Sequence, residues 1–392
     1  MSSWPLTRLG DLTVNLDGRR RPIKESERKR GPYPYYGASG VVDSVDGYIF
    51  EGEHLLVAED GENLRTRQTP YVFRANGRFW VNNHAHVVIG NDRASTRYLE
   101  YALLAADISG FLSGAVMPKL TQANLNKIEV PEPTLPEQSA IVGILGALDD
   151  RIELLRETNA TLEAIAQALF KSWFVDFDPV RAKSEGRTPK GMDAAAAALF
   201  PDTFQDSPLG PIPSGWRVSR VEDLMTLAYG RALKATDRLP GSVPVYGSGG
   251  ITGSHDSSLV AGPGVIVGRK GTVGSLYWED RNFYPIDTVF FVEPHVPLTF
   301  CYYLLRCLGL DQMNTDAAVP GLNRSNVYRL EVAAGPIALL AAFNTLVAKI
   351  RRSIASRHEA ARSLQEVRDF LLPKLVSGSI RIGPNDNDAV DR

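Results

Sequence analysis

Cysteine is scarce in this 392-residue chain: Cys301 and Cys307 are its only two. They are spaced unlike zinc ligands and flank Tyr302-Tyr303-Leu304-Leu305, so a disulfide scaffold and a zinc knuckle are excluded and core packing is expected for both. Long apolar runs are also missing. Stretches such as Leu259 to Val267 are broken by glycine and proline well short of the ~20 residues a membrane span needs. The opening Met1-Ser2-Ser3-Trp4-Pro5 has neither the basic nor the apolar block of a signal peptide, which leads us to expect a cytoplasmic protein. The formal net charge is only -2, so nucleic-acid binding has to come from local basic clusters.

Catalytic signatures are absent as well. An amino-methyltransferase needs an Asn/Asp-Pro-Pro-aromatic loop, and Asp178-Pro179-Val180 is the nearest approach. The stretch Gly262-Pro263-Gly264-Val265-Ile266-Val267-Gly268-Arg269-Lys270-Gly271-Thr272 is glycine-rich but lacks the order of a phosphate-binding loop. Gly247-Ser248-Gly249-Gly250 misses the dinucleotide fingerprint. His84-Ala85-His86 sets two imidazoles on one face of an expected strand, a candidate metal pair, but no third ligand follows and Thr288 and Phe290 replace the pair in the repeat described next. No metal site and no nucleotide site is expected.

What is present is a folded composition, 44% hydrophobic and 22% charged, in a chain too long for one core. The chain also repeats itself. Met117-Pro118-Lys119-Leu120-Thr121-Gln122-Ala123-Asn124-Leu125 matches Val319-Pro320-Gly321-Leu322-Asn323-Arg324-Ser325-Asn326-Val327, and the match runs on to Val130 and Val332. Pro34-Tyr35-Tyr36-Gly37 matches Pro244-Val245-Tyr246-Gly247, and Trp4 to Leu12 matches Trp216 to Leu224. Within each unit, runs such as Tyr48 to Phe50, His54 to Ala58, Val87 to Ile89, Val265 to Val267 and Val289 to Val292 read as short strands.

After each unit comes a stretch dominated by helix-forming residues, roughly 138 to 176 and 338 to 376, broken only by Gly143, Gly146 and Pro373, that reads as a long helix. In the first, Ile141, Leu145, Leu148, Ile152, Leu155, Leu162, Ala166, Leu169 and Trp173 recur in alternating steps of four and three, the period of a coiled-coil seam, with Asn159 as its polar position. The matching stripe is Phe343, Val347, Ile350, Ile354, Arg357, Ala361, Leu364, Arg368, Leu371 and Leu375. A seam of about 35 residues is about 50 Å long, too long to serve one small domain, so the two helices are expected to pair antiparallel. The fold class expected is α+β: two similar mixed α/β heads separated by a pair of long antiparallel coiled-coil helices, with an internal pseudo-twofold repeat. The seam is carried by Leu148, Ile152, Leu155, Asn159, Leu162, Ile350, Ile354, Leu364 and Leu371. The expected divisions are a head over 1–135, a spacer helix over 136–177, a crossing over 178–213 with a short Ala194 to Ala198 helix, a second head over 214–336, a second spacer helix over 337–378 and a tail over 379–392.

The positive functional signals are electrostatic and aromatic. Arg19, Arg20, Arg21, Lys24, Arg28, Lys29 and Arg30 stand against only Asp17, Glu25 and Glu27, and lead into Tyr33, Tyr35 and Tyr36, a mixture suited to phosphate contacts beside base or sugar contacts. Arg231, Lys234 and Arg238 hold the corresponding place in the second unit, and Arg269-Lys270 sits in the glycine loop. With the repeat alignment, the candidate DNA contacts are Arg19, Arg20, Arg21, Lys24, Tyr33, Tyr36, Lys119, Arg231, Lys234, Arg269, Lys270 and Arg324. Two similar but diverged heads suit a duplex with two different half-sites about one helical turn, ~34 Å, apart. The rival reading is a non-catalytic scaffold whose two heads bind protein.

Three stretches resemble a known family: Trp173-Phe174-Val175-Asp176-Phe177-Asp178-Pro179-Val180-Arg181-Ala182-Lys183, Ile212-Pro213-Ser214-Gly215-Trp216, and Leu371-Leu372-Pro373-Lys374-Leu375-Val376-Ser377-Gly378. Gly191-Met192 to Leu199-Phe200-Pro201, Pro136-Glu137-Gln138 and Tyr246-Gly247-Ser248-Gly249-Gly250-Ile251 add to them. Together they resemble the specificity subunit of type I restriction-modification systems, the HsdS family, over nearly the whole chain. The resemblance implies two target-recognition domains, each reading half of a split double-stranded DNA site. It implies no catalysis by this chain, which docks two methyltransferase subunits that methylate adenine N6 with S-adenosylmethionine. Restriction subunits using ATP and Mg join in some complexes, so the cofactors belong to partners.

Overall fold

The computed structural model describes residues 4–67, 69–114, 116–313 and 321–382. The expected tail over 379–392 therefore lies mostly outside the described residues, as does the Val319-Pro320 end of the repeat match. In chain order the elements are β1 (Leu6–Arg8), β2 (Thr13–Asn15), β3 (Tyr33–Gly37), β4 (Gly40–Val45), β5 (Phe50–Glu51), β6 (His54–Ala58), α1 (Asn63–Thr66), β7 (Val72–Ala75), β8 (Arg78–Val81), β9 (Ala85–Gly90), α2 (Thr96–Ala105), α3 (Gln122–Leu125), β10 (Glu129–Pro131) and α4 (Leu135–Phe174). Then follow α5 (Asp178–Ser184), α6 (Ala194–Ala198), β11 (Phe204–Gln205), β12 (Ile212–Pro213), β13 (Arg217–Arg220), α7 (Val221–Leu224), β14 (Met225–Tyr229), β15 (Val243–Gly247), β16 (Gly250–His255), β17 (Gly264–Gly268), β18 (Leu276–Glu279), β19 (Tyr284–Pro285), β20 (Val289–Pro294), α8 (Leu298–Cys307), α9 (Arg324–Tyr328), β21 (Glu331–Ala334) and α10 (Ile337–Val376). Among the described residues no helix is long and apolar enough to cross a membrane.

The chain divides into two compact units, Met1–Leu154 with Ala360–Arg392, and Leu155–Glu359. The first holds a sheet in the order β2-β9-β6-β7, a second sheet β4-β3-β8-β5 and the pair β1-β10. The second holds β14-β20-β17-β18, β16-β15-β19 and β13-β21. The repeat read from a few matching motifs therefore extends to strand order. Each central strand, His54-Leu55-Leu56-Val57-Ala58 or Gly264-Val265-Ile266-Val267-Gly268, is buried at every position because a sheet covered on both faces needs a continuous apolar run. The expected strand over Tyr48 to Phe50 is instead confined to Phe50–Glu51, and half-exposed Tyr48 packs at a tilt against Tyr33.

The two long helices follow the seam. In the first unit Ile141 and Leu145 of α4 share a core with Leu375 and Val376 of α10, and Asp149 pairs with Arg368 at 2.9 Å. In the second unit Phe170 of α4 packs on Phe343 of α10, Glu163 pairs with Arg351, and the Asn159 amide donates to the Ile354 carbonyl at 3.2 Å. Partner numbers fall along α10 as they rise along α4 in both units, so the helices are antiparallel. Of the seam positions, Ile152, Leu155, Asn159 and Ile354 are buried, and Leu148, Leu162, Ile350, Leu364 and Leu371 are half-buried.

Several of the stretches that carry the resemblance turn out to be joints. At Pro136-Glu137-Gln138 the Glu137 carboxylate accepts from the Thr134 amide (2.9 Å) and hydroxyl (2.8 Å), satisfying the helix start. Gln138, 1% exposed, donates to the Arg93 and Pro133 carbonyls and accepts from the Ser95 amide, which locks α4 onto the head and onto the start of α2. At Trp173 to Phe177 an aromatic cluster with Trp216, Phe300 and Phe343 seats the second head on its helices. Phe177 takes a left-handed backbone (φ 55°), which turns the chain out of α4 and into α5.

Candidate nucleic-acid interface

In the second unit the turn after β17 carries Arg269 and Lys270, and Arg324 opens α9. Backbone bonds bring them together: the Leu322 amide donates to the Arg269 carbonyl at 2.8 Å, and the Arg269 amide donates to Thr288 at 2.9 Å. With Tyr229, at the end of β14, and Phe290 they line a cleft of about 310 Å³. The Tyr229 ring, half-exposed, is approached by two guanidiniums, Arg269 at 5.2 Å and Arg324 at 4.8 Å from its centroid. Arg269 also faces Phe290 at 5.8 Å, and its buried Nε has no hydrogen-bond partner among the described residues. Arg324 donates to the Leu227 carbonyl. Among the described residues, none of these three cations has a carboxylate within 4.0 Å. Stacking on aromatic rings stabilises each guanidinium without neutralising it, so its charge stays available to an anion.

The same position in the first unit is built on the same backbone. Leu120 donates to the Glu59 carbonyl at 2.8 Å and Glu59 donates to His84 at 2.9 Å, while the Asp60–Lys119 bridge stands where the other unit has Lys270–Gly321. Glu59 and Asp60 thus occupy the places of Arg269 and Lys270. The Arg20 guanidinium fills the space, donating to Glu59 (2.8 Å) and the Ala85 carbonyl (2.9 Å) and lying 3.4 Å from Asp17. Lys119 pairs with the same Glu59 at 3.3 Å. Burial works against ionising both carboxylates. It is outweighed at Asp17 by hydrogen bonds from His86 and the Val87 amide, and at Glu59 by Arg20, His86 and Lys119, so both are held below their ordinary values.

The other expected contacts are scattered. Arg19 donates to the Ile49 carbonyl and covers Phe50. Arg21 and Lys24 are exposed, as are Arg231 and Lys234. Tyr33 packs at a tilt against Tyr48, and Tyr36 packs between Phe73 and Phe79, where burial raises its hydroxyl above the usual value. The structure therefore brings together Arg269, Lys270 and Arg324 in one unit, and Arg20 and Lys119 in the other. Tyr229, Asp17, Glu59 and Asp60 were not picked out from the sequence, and the repeat register is the signal that finds them.

The imidazole pair separates. His86 is buried in β9 between Asp17 (2.6 Å) and the Leu120 carbonyl (2.8 Å), whereas His84 lies in the preceding turn and pairs with Asp60 at 2.9 Å. Among the described residues no group of three or more His, Cys, Asp or Glu is placed to hold a metal. The glycine-rich stretch is explained by packing: a side chain at Gly262 would meet the Arg281 carbonyl at 2.3 Å, and one at Gly264 the Phe283 ring at 2.4 Å. Cys301 is in the core as expected, but Cys307 is exposed at the end of α8.

Residues 1–164 match the family model described as the type I restriction modification DNA specificity domain. A Haemophilus influenzae protein named as a putative type I restriction enzyme specificity subunit is 41% identical over 144 residues, taking in 37% of this chain and 36% of that protein. The MjaIX specificity subunit of Methanocaldococcus jannaschii is 24% identical over 97% of this chain and 94% of its own. The fold matches the S subunit of a type I restriction-modification system from M. genitalium with a TM-score of 0.57 and 19% identity, covering 96% of both chains. The family model covers the first head and three quarters of α4, the archaeal relative aligns with nearly the whole chain, and the fold is shared over 96% of it: the chain is similar to the type I restriction-modification specificity subunits.

Proposed function

We propose that this chain is the DNA sequence-specificity subunit of a type I restriction-modification complex. It reads an asymmetric, two-part double-stranded site, one part with each head, and performs no chemistry itself. The observation that carries the reading is a duplicated scaffold whose two heads differ in the side chains lining one equivalent position, with cations in the second that have no carboxylate within 4.0 Å among the described residues. A duplicate kept for symmetric recognition has no need of such divergence, whereas two unequal half-sites require it. Two methyltransferase subunits are its partners, with restriction subunits joining in some assemblies. S-adenosylmethionine serves the former and ATP with Mg the latter, and this chain binds neither. The outer faces of α4 and α10, which expose Leu154, Ile165 and Phe370, are the docking surfaces this reading assigns to them.

Methylome sequencing of a host expressing the chain with its cognate methyltransferase subunit tests the reading. N6-methyladenine in a split, asymmetric motif that disappears when this chain is deleted is the expected result. Methylation that persists without the chain, or no motif at all, overturns it.

A further inference from the structure

The two heads carry opposite charge at one structural position. Glu59 and Asp60 in the first unit stand where the second has Arg269 and Lys270, an equivalence fixed by matching backbone bonds to Leu120 and Leu322 and by matching bridges to Lys119 and Gly321. Counting in register from there, Gln122 stands in the place of Arg324. The first position is closed by its own ion pairs, because Arg20 and Lys119 both end on Glu59. The second is open. Two guanidiniums lie against the Tyr229 ring without a described carboxylate within 4.0 Å, and the Arg269 Nε is buried with no described partner.

Two like charges held on one ring repel each other, and the arrangement is relieved when an anion bridges them. A tetrahedral phosphodiester offers two non-bridging oxygens, one for each guanidinium, and the charge-assisted bonds it would make are about twice as strong as neutral ones. Resting on the reading that this chain binds duplex DNA, we propose that the cleft of Tyr229, Arg269 and Arg324 is the seat of a single DNA backbone phosphate, and that the first head has no equivalent seat. Ionic anchoring of the duplex is then one-sided: the second head supplies the sequence-independent hold through this phosphate. The first head, its charges already paired, contributes little of it at this position.

The test is binding of the full chain to random-sequence duplex DNA across a salt series, with wild type, R269A/R324A and Q122A. One lost phosphate contact lowers the slope of log affinity against log salt by about 0.9. The double variant is expected to lose that much slope and about tenfold in affinity near 0.1 M salt, as befits removal of charged hydrogen bonds. Q122A is expected to match wild type in both. R269K/R324K, which keeps the charge and supports folding should the alanine pair not, is expected to retain the slope while losing affinity. An unchanged slope in a folded R269A/R324A overturns the seat and leaves the DNA-binding reading standing. An equal loss in Q122A overturns the asymmetry. Inorganic phosphate alone raising the melting temperature of wild type as much as the duplex does would assign the cleft to a free anion and overturn the proposal. Wild type that fails to bind duplex in a salt-dependent way, with the split methylation motif absent, overturns the functional reading as well.

Discussion

Removing Glu163 should loosen the second unit more than its place on a long surface helix would suggest. Glu163 of α4 accepts from Arg351 of α10 at 2.5 Å and from Arg306 and Tyr303 of α8 at 2.6 and 3.3 Å, so one carboxylate ties the head to both long helices. Arg351 is the group at risk. Its side chain is only 8% exposed, clamped over Trp278 at 4.4 Å and Tyr302 at 5.5 Å, and it cannot leave its site for water without unstacking. Breaking a buried ion pair from one side costs about 3–5 kcal/mol, because the remaining charge is left desolvated. The Glu163 side chain is 21% exposed, so water reaches part of the pair and the lower end, about 3 kcal/mol, is expected for Glu163→Leu. That is about two orders of magnitude in the unfolding equilibrium. Replacing both partners with apolar groups removes the stranded charge, so Glu163→Leu/Arg351→Met should recover most of the loss. Urea unfolding of the full chain, followed by tryptophan fluorescence, reads both as shifts in midpoint at constant slope. A loss below about 1 kcal/mol, the range of exposed pairs, or a double variant no better than the single one, would refute the reasoning.

Asn159→Leu is expected to preserve folding while loosening the register of the helix pair, because it removes the one seam hydrogen bond to the Ile354 carbonyl and adds apolar bulk. Faster amide exchange across α4 and α10 would show this, and exchange identical to wild type would count against it. The carboxyls of Asp17 and Glu59 lie below their ordinary values of 3.8 and 4.5, so what they add to stability is complete above those values and is lost as pH falls through the lower folded values. Asp17→Asn should therefore flatten the acid limb of a stability-against-pH curve below 3.8 and lower the plateau above it. A parallel acid limb in the variant would speak against that assignment. Thiol titration should find one accessible cysteine, Cys307, while Cys301, whose thiol burial pushes up to about 12, reacts only on unfolding. Two thiols reacting at one rate in the folded chain would contradict the packing of α8.

The features legible in the sequence are those that repeat or that bury apolar surface. The long helices lie within three residues of where the apolar seam and helix-forming composition placed them, because a seam of that length has no other way to stay dry. The polar Asn159 was legible as an interruption of that seam. Local environment was not. Alternation placed His84 and His86 on one strand face, yet β9 begins at Ala85 and the Asn82 side chain caps the turn through the His84 amide, which sends the two rings to different partners. Cys307 falls on the apolar-looking stretch of α8 but at its last residue, where the helix has run out of core.

The site was half legible for a related reason. Basic residues could be listed from the sequence, but a listing treats Arg20 and Arg269 alike, and the fold does not. Arg20 is adjacent in space to Asp17, three residues before it, and to Glu59, from a separate part of the chain, and it is spent on them. Arg269 meets Tyr229 and Phe290, rings that do not neutralise it, and has no carboxylate within 4.0 Å among the described residues. The difference arises at a position where both heads have the same backbone bonds, so the scaffold places no demand on the side chain there beyond fitting the end of a central strand. Where packing is indifferent, charge is free to diverge between duplicates, and function can set it. The cleft at Arg269 and the closed network at Glu59 are two outcomes of that freedom, which is why strand order is shared between the heads and the sign of this position is not.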